Sequence, residues 1–124
     1  NETTVDLMSQ PTWEYNGSNG DNFFGIFNKW GLGLQITTNT KCEDIVFGDE
    51  IMYGHIGQAY GLIADMYFNF NPSKGFVFIV NGYYDDVYTI GENSSFLKIE
   101  EEIFKNLNYE FDYLCDYFKH QILE

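Results

Sequence analysis

Three apolar runs in the middle of the chain predict an antiparallel meander. The runs cover residues 51–59, 62–70 and 76–80. The turn-forming residues 71–75, Asn-Pro-Ser-Lys-Gly, join the last two runs, which predicts a hairpin. The last run, Phe-Val-Phe-Ile-Val, is apolar throughout, as expected of a central strand that is covered on both faces. We therefore expect three neighbouring strands in one sheet.

An apolar stripe at helical spacing follows the meander. Its members lie three or four positions apart and are Phe96, Ile99, Ile103, Leu107, Phe111, Leu114 and Phe118. Such a stripe is typical of a helix that buries one face. Asn93, Ser94 or Ser95 can cap its start, and the three glutamates 100–102 suit the positive end of its dipole. We predict a long C-terminal helix packed on the sheet.

The first part of the chain predicts shorter elements, and no linker or internal repeat divides the sequence. We expect a helical tail over residues 1–12, a brief strand at 13–15, a turn at 16–22, an extended piece at 23–27 and a strand at 30–38. In the last of these, Leu32, Leu34 and Ile36 should share one face. The fold class is therefore α+β, with residues 1–124 as a single domain.

The excess of acidic residues limits the classes of partner that the chain is expected to bind. The chain has 19 acidic and 6 basic residues, for a net charge of −13. Such a surface repels phosphate backbones and anionic lipid, so we expect neither nucleic-acid nor membrane-surface binding. No apolar run reaches the roughly 18 residues of a membrane span. The chain opens on Asn1 without a methionine, and we expect it to be a piece of a longer protein.

The sequence gives little indication of a metal site or a disulfide bond. Cys42 and Cys115 lie far apart in sequence, and we interpret them as two buried thiols, with a disulfide as the alternative. No Cys/His spacing indicates zinc. Asp85, Asp86 and Glu92 do not follow the pattern of a calcium loop. We therefore expect no metal and no cofactor.

The run from Tyr53 to Gly61, Tyr-Gly-His-Ile-Gly-Gln-Ala-Tyr-Gly, is a β-type segment interrupted by glycines. A strand with so little side-chain bulk lets a ligand or another backbone come close. His55 is the candidate functional side chain in this run. Taken alone, a histidine in such a strand is more often one whose neighbours satisfy its hydrogen bonds than a catalytic group.

Three segments together resemble the serine β-lactamase-related family. Trp30–Leu34 is similar to the family's Tyr-Gly-Leu-Gly-Trp strand, Tyr53–Gln58 to its Gly-His-x-Gly strand, and Phe76–Gly82 to its Val-Val-Val-Leu-x-Asn-Gly strand. Their order and intervals also agree. The family includes class C β-lactamases, penicillin-binding proteins, D-alanyl-D-alanine carboxypeptidases and related esterases, and the resemblance covers nearly the whole chain.

The resemblance implies roles for three residues of the Gly-His-x-Gly strand. His55 would help to bind the substrate and to support proton movement, Gly57 would leave room for the acyl group, and the N–H of Gln58 would form half of an oxyanion hole. Ile56 departs from the threonine or serine common at its position. This favours an esterase-like or peptidase-like relative over one that recognises a β-lactam carboxylate.

The family's nucleophile motif, Ser-x-x-Lys, and its Tyr-x-Asn motif should both lie upstream of residue 1. Ser95-Phe96-Leu97-Lys98 has the right spacing but follows the Gly-His-x-Gly strand, so we interpret Ser95 as a helix cap. The resemblance thus implies the C-terminal part of a serine hydrolase that transfers acyl groups and hydrolyses an amide or ester. Its substrate would be a peptide, β-lactam or ester, and this chain alone would be inactive.

Two further expectations follow from that interpretation. The parent protein should be extracytoplasmic, since secreted relatives are common in the family. The isolated chain should expose apolar sheet surface and strand edges, and should self-associate. The alternative function is a non-catalytic α+β module that binds a peptidoglycan-like or sugar ligand, or a protein partner. Stacking aromatics would serve it, and the candidates are Trp13, Trp30, Tyr83 and Tyr84.

Overall fold

Each strand of the sheet pairs antiparallel with the next strand along the chain. The computed structural model describes residues 2–48, 50–70, 73–83 and 89–107. Its elements are α1 (Glu2–Ser9), β1 (Trp13–Glu14), β2 (Lys29–Trp30), β3 (Gln35–Ile36), β4 (Tyr53–Ala59), β5 (Leu62–Phe70), β6 (Ser73–Asn81) and α2 (Lys98–Asn106). The predicted α+β class and the antiparallel meander are confirmed.

The turn between β4 and β5 consists of Tyr60 and Gly61, with φ angles of 53° and 82°. Positive φ at both central residues is the pattern of the two-residue hairpin turn that favours Asn-Gly. Tyr60 is fully exposed, so its ring gains nothing from packing while its backbone is strained.

Tyr60→Asn is therefore expected to stabilise the protein by about 0.5–1 kcal/mol, because asparagine tolerates this conformation better than tyrosine. Urea denaturation of the two proteins measures the difference. Tyr60→Val should have the opposite effect, since a β-branched residue is a poor fit at positive φ. A variant with asparagine that is less stable than the parent would show that the tyrosine ring contributes to the fold.

Two predictions for the segment before β4 are wrong. Residues 30–38 do not form one strand: Gly31 N–H donates to Leu34 O at 2.8 Å, and Gly33 has a φ of 75°. This turn separates β2 from β3, and Leu32 is exposed within it. The predicted extended piece at 23–27 is replaced by a turn over residues 23–26, with Phe23 and Phe24 at positive φ.

The predicted caps of the C-terminal helix are also wrong. α2 begins at Lys98, after Leu97, whose N–H donates to Glu100 Oε2 at 2.6 Å. Ser95 is buried and donates its hydroxyl to the backbone carbonyls of Phe24 and Cys42. The long helix is not confirmed, since the later residues of the predicted stripe lie outside the described part of the chain.

The α2 helix packs against one face of the sheet. The Phe104 ring lies 5.1 Å from the Phe96 ring and 5.7 Å from the Phe76 ring, measured between centroids. The Tyr67 ring of β5 packs against the Phe96 and Phe104 rings, with centroid distances of 6.2 and 6.4 Å. These rings, together with Val46 and Met52, form the hydrophobic core.

The opposite face of the sheet carries exposed apolar side chains. β6 alternates between half-buried and exposed residues, and Val77 and Ile79 are 64% and 66% exposed. Met66 of β5, the partner of Val77, is exposed too. The prediction that β6 is a central strand covered on both faces is wrong: it lies at the sheet edge among the described strands. Self-association through this face stays a prediction.

Two further findings concern covalent and membrane features. Cys42 is disulfide-bonded, so the interpretation of it as a buried free thiol is wrong. The other cysteine of the sequence, Cys115, lies outside the described residues. Among the described helices, neither is long and apolar enough to cross a membrane.

Candidate functional site

Among the described residues, no strand pairs with the β3 side of β4 from His55 onward. β3 pairs only with Tyr53 and Gly54. Thr37 N–H donates to Met52 O at 2.9 Å, so the amide groups of Met52 face β3. Because this direction alternates along a strand, the amide groups of Ile56 and Gln58 also face away from β5, beyond the end of β3. We call the backbone of residues 55–59 on this side the open edge.

His55 lies at the open edge with its side chain on the face opposite α2. Its ring is exposed and meets the Trp30 ring edge-on, with centroids 5.2 Å apart. Nδ1 contacts the carbonyl oxygen of Ile56, which assigns the proton of a neutral imidazole to Nδ1. The lone pair of Nε2 is then available to accept a hydrogen bond or a proton.

The glycines of this segment differ in what the fold requires of them. A Cβ built on Gly54 would lie 1.9 Å from Met66 O and 2.8 Å from Tyr67 Cα, so close packing on β5 demands glycine there. Gly61 is required by the turn, at a φ of 82°. A Cβ on Gly57 would have its nearest neighbour, Ala64 O, at 3.3 Å. The fold therefore tolerates a side chain at Gly57 far better than at Gly54.

The structure brings the three predicted site residues to one place. His55, Gly57 and Gln58 all lie within four consecutive positions of β4, and Gln58 is exposed. The alternation that turns the Gln58 N–H outward is set by the β3 pairing, which the sequence pattern did not predict.

A row of aromatic rings leads to His55 from the segment before β2. Centroids are 5.2 Å apart between Phe23 and Phe27, between Phe27 and Trp30, and between Trp30 and His55. We call these four rings the aromatic row. Sequence reasoning singled out Trp30 but missed the two phenylalanines, because residues 23–27 gave the pattern of an extended piece.

Two buried carboxyl groups lie between β5 and α2. Asp65 is 1% exposed, and neither of its carboxyl oxygens has a hydrogen-bond partner in the described part of the chain. Glu100 lies one helical turn before Phe104, which contacts Phe78, the β6 partner of Asp65. Burial, followed by the charge of Glu100, raises the pKa of Asp65 to about 8. Burial also raises the pKa of Glu100 to about 7.

The buried acids lie on the opposite side of the sheet from His55. Their signal in the sequence is Asp65, the one charged residue in the run 62–70. Next to them, the Tyr67 hydroxyl donates to Gln35 Oε1 at 2.7 Å, and Gln35 Nε2 donates to Ile26 O at 2.6 Å. These bonds satisfy the buried polar atoms of Tyr67 and Gln35, in contrast to those of Asp65.

Among the described residues, no group of three or more His, Cys, Asp or Glu side chains could hold a metal ion. Comparison with protein-family models, with curated proteins and with solved structures finds no match.

Proposed function

We propose that this chain contributes one wall of the active site of a serine acyl hydrolase. The reaction would be hydrolysis of an amide or ester through a serine acyl-enzyme, with the nucleophile supplied by a part of the protein outside this chain. The observation that carries the proposal is the open edge of β4, with exposed His55 beside outward-facing amide groups. Such an edge can hold an extended substrate by backbone hydrogen bonds.

The N–H of Gln58 would stabilise the developing oxyanion. When a serine attacks the carbonyl carbon, the C=O π bond breaks and negative charge collects on its oxygen. A fixed N–H donor at that position lowers the barrier by about 3–4 kcal/mol. Gly57 precedes this donor and carries no side chain, so the acyl group can approach the strand closely.

His55 would orient the substrate or accept a proton. Its Nε2 lone pair is available because Nδ1 is engaged by Ile56 O. The edge-on contact with Trp30 fixes the plane of the imidazole. A ring held in one orientation positions its acceptor more sharply than a freely rotating one, which is a requirement of acid–base catalysis.

The formal Ser95-x-x-Lys98 motif does not supply the nucleophile in this proposal. Ser95 is buried and its hydroxyl donates to two backbone carbonyls, whereas Lys98 is exposed. Val77 and Ile79 are exposed, and no described strand pairs with the outer edge of β6. Both features support additional chain in the complete protein, which would cover them. A disulfide-bonded Cys42 is compatible with an oxidising compartment, which supports an extracytoplasmic location.

A non-catalytic ligand-binding module is the second candidate, and the aromatic row favours it. Exposed rings in fixed positions can stack on a sugar or an apolar ligand without any covalent step. The two functions differ in whether a serine becomes acylated.

Labelling with an activity probe separates them. We expect a fluorescent fluorophosphonate or penicillin to label the product of the complete reading frame, and to leave the 124-residue chain unlabelled because it lacks the nucleophile. Heat-denatured full-length protein is the control for non-specific reaction. If neither form is labelled, the hydrolase proposal fails and the binding module takes its place.

A further inference from the structure

The turn at residues 23–26 exposes two phenylalanines in a strained backbone conformation. Phe23 and Phe24 have φ angles of 49° and 58°, a region that bulky L-residues rarely occupy. Their side chains are 55% and 85% exposed. Strain and apolar exposure both oppose stability, so neither residue is explained by the fold, and such combinations concentrate at binding sites.

The segment that carries these rings is held firmly in place. Asn28 Nδ2 donates to Gly25 O at 2.8 Å and to Glu43 Oε2 at 2.7 Å. Asn22 Nδ2 donates to Asn28 Oδ1 at 2.9 Å, and Phe27 N–H donates to Asn22 O at 2.9 Å. The rings are therefore presented by an ordered turn, and binding on them costs little additional conformational entropy.

The aromatic row connects this turn to the candidate catalytic edge. Phe23, Phe27 and Trp30 follow one another at 5.2 Å and end at His55. Neighbouring rings are inclined by 52–71°, a stepped arrangement that can receive a further aromatic ring edge-on or offset. No charged side chain belongs to the row itself, and the net charge of −13 disfavours an anionic ligand.

We infer that the aromatic row is a binding site for a neutral aryl group, which in the hydrolase is part of the acyl portion of the substrate. The assignment of this site to the acyl portion of the substrate rests on the proposed function. The row would then set specificity, because it ends at His55 on the same strand that carries Gln58. Aryl substrates would be preferred over acetyl ones.

Binding to the 124-residue chain tests this without any nucleophile. Trp30 fluorescence is recorded in a Trp13→Phe background, which leaves Trp30 as the sole tryptophan. The probes are N-phenylacetylglycinamide and N-acetylglycinamide, which differ only in the acyl group. We expect the phenylacetyl probe to bind about 10-fold more tightly, as one good aromatic contact allows.

Three variants distinguish binding by the aromatic row from effects on folding. Phe23→Asn removes a ring of the row, yet asparagine suits positive φ, so we expect an unchanged or higher melting temperature together with loss of the preference. Tyr60→Asn removes an equally strained, exposed ring outside the row, and should keep the preference. Phe27→Leu keeps apolar bulk at the second ring and should reduce the preference.

The contrary results are equally specific. Equal affinity of the two probes, or a preference that survives in both Phe23→Asn and Phe27→Leu, would overturn the inference. A preference that depends on the row, in a protein whose full-length form resists the activity probes, would support the binding site and reject the hydrolase. The two proposals can therefore fail separately.

Discussion

Asp65→Val is expected to stabilise the protein by about 2–4 kcal/mol at pH 8, which is unusual for a change in the core. Asp65 is 1% exposed on the middle of β5, and neither carboxyl oxygen has a hydrogen-bond partner among the described residues. Burying such a group costs free energy that no contact returns. Valine has similar volume, suits a strand and places methyl groups where the carboxyl oxygens lie.

The same carboxyl group predicts a pH dependence. Burial and the charge of Glu100 raise the pKa of Asp65 to about 8, from the ordinary aspartate value of 3.8. The folded protein thus retains a proton that the unfolded chain releases. The free energy of unfolding should be highest near pH 4, fall as the pH rises towards 8, and level off above that. Glu100, whose pKa burial raises to about 7, adds to the decline in the same direction.

Urea denaturation at pH 5, 7 and 9 measures both effects. Asp65→Val should flatten most of the decline, and its advantage over the parent should grow with pH. Asp44→Val is the matched control, because Asp44 accepts hydrogen bonds from the N–H groups of Thr38 and Thr40. Its loss leaves these donors unpaired and should destabilise the protein. An Asp65→Val protein that is less stable at pH 9 would show that the carboxylate has a partner.

The second large effect is expected from removing a single backbone N–H group. Gln58→Pro deletes the donor that we assign to the oxyanion hole, and should slow acylation of the full-length protein by about 10²–10³-fold. The substitution is compatible with the sheet, since this N–H faces away from β5 and proline is tolerated where a strand's N–H is unpaired. Gln58→Ala retains the N–H and serves as the control, with an expected change below about threefold.

The sequence predicted the parts of the fold that local patterns encode. Apolar runs and the turn residues between them were enough to predict three antiparallel strands, although β6 begins at Ser73, within the predicted turn 71–75. The caps of α2 could not be predicted in this way, because Asn93 and Ser94 bind Glu101 at 2.9 Å, a contact that depends on how the segment before the helix folds back. The Ser94 hydroxyl suits a cap as well as it suits this interaction, whereas Asn93 donates its backbone N–H to Glu101, which residue type does not predict.

The candidate site was predictable in composition but not in geometry. The glycines around His55 indicated a strand that a ligand or another backbone approaches. In the structure, Gly54 instead allows close packing on β5, and Gly61 allows the positive φ of a turn. The open edge exists because β3 ends opposite Gly54, and that end follows from the turn at Gly31–Gly33, which replaced the predicted long strand. The positive φ angles of Phe23 and Phe24 also depend on tertiary contacts, because hydrogen bonds from the side chains of Asn28 and Ser95 hold their turn.

The most direct test of the central claim is the rate at which a fluorophosphonate acylates the full-length protein with glutamine, alanine or proline at position 58. Circular dichroism and melting temperature establish that each variant is folded. We expect similar rates for Gln58 and Gln58→Ala, and a rate about 10²–10³-fold lower for Gln58→Pro. Equal rates in a folded Gln58→Pro protein, or no acylation of the parent, would contradict an oxyanion hole at the open edge of β4.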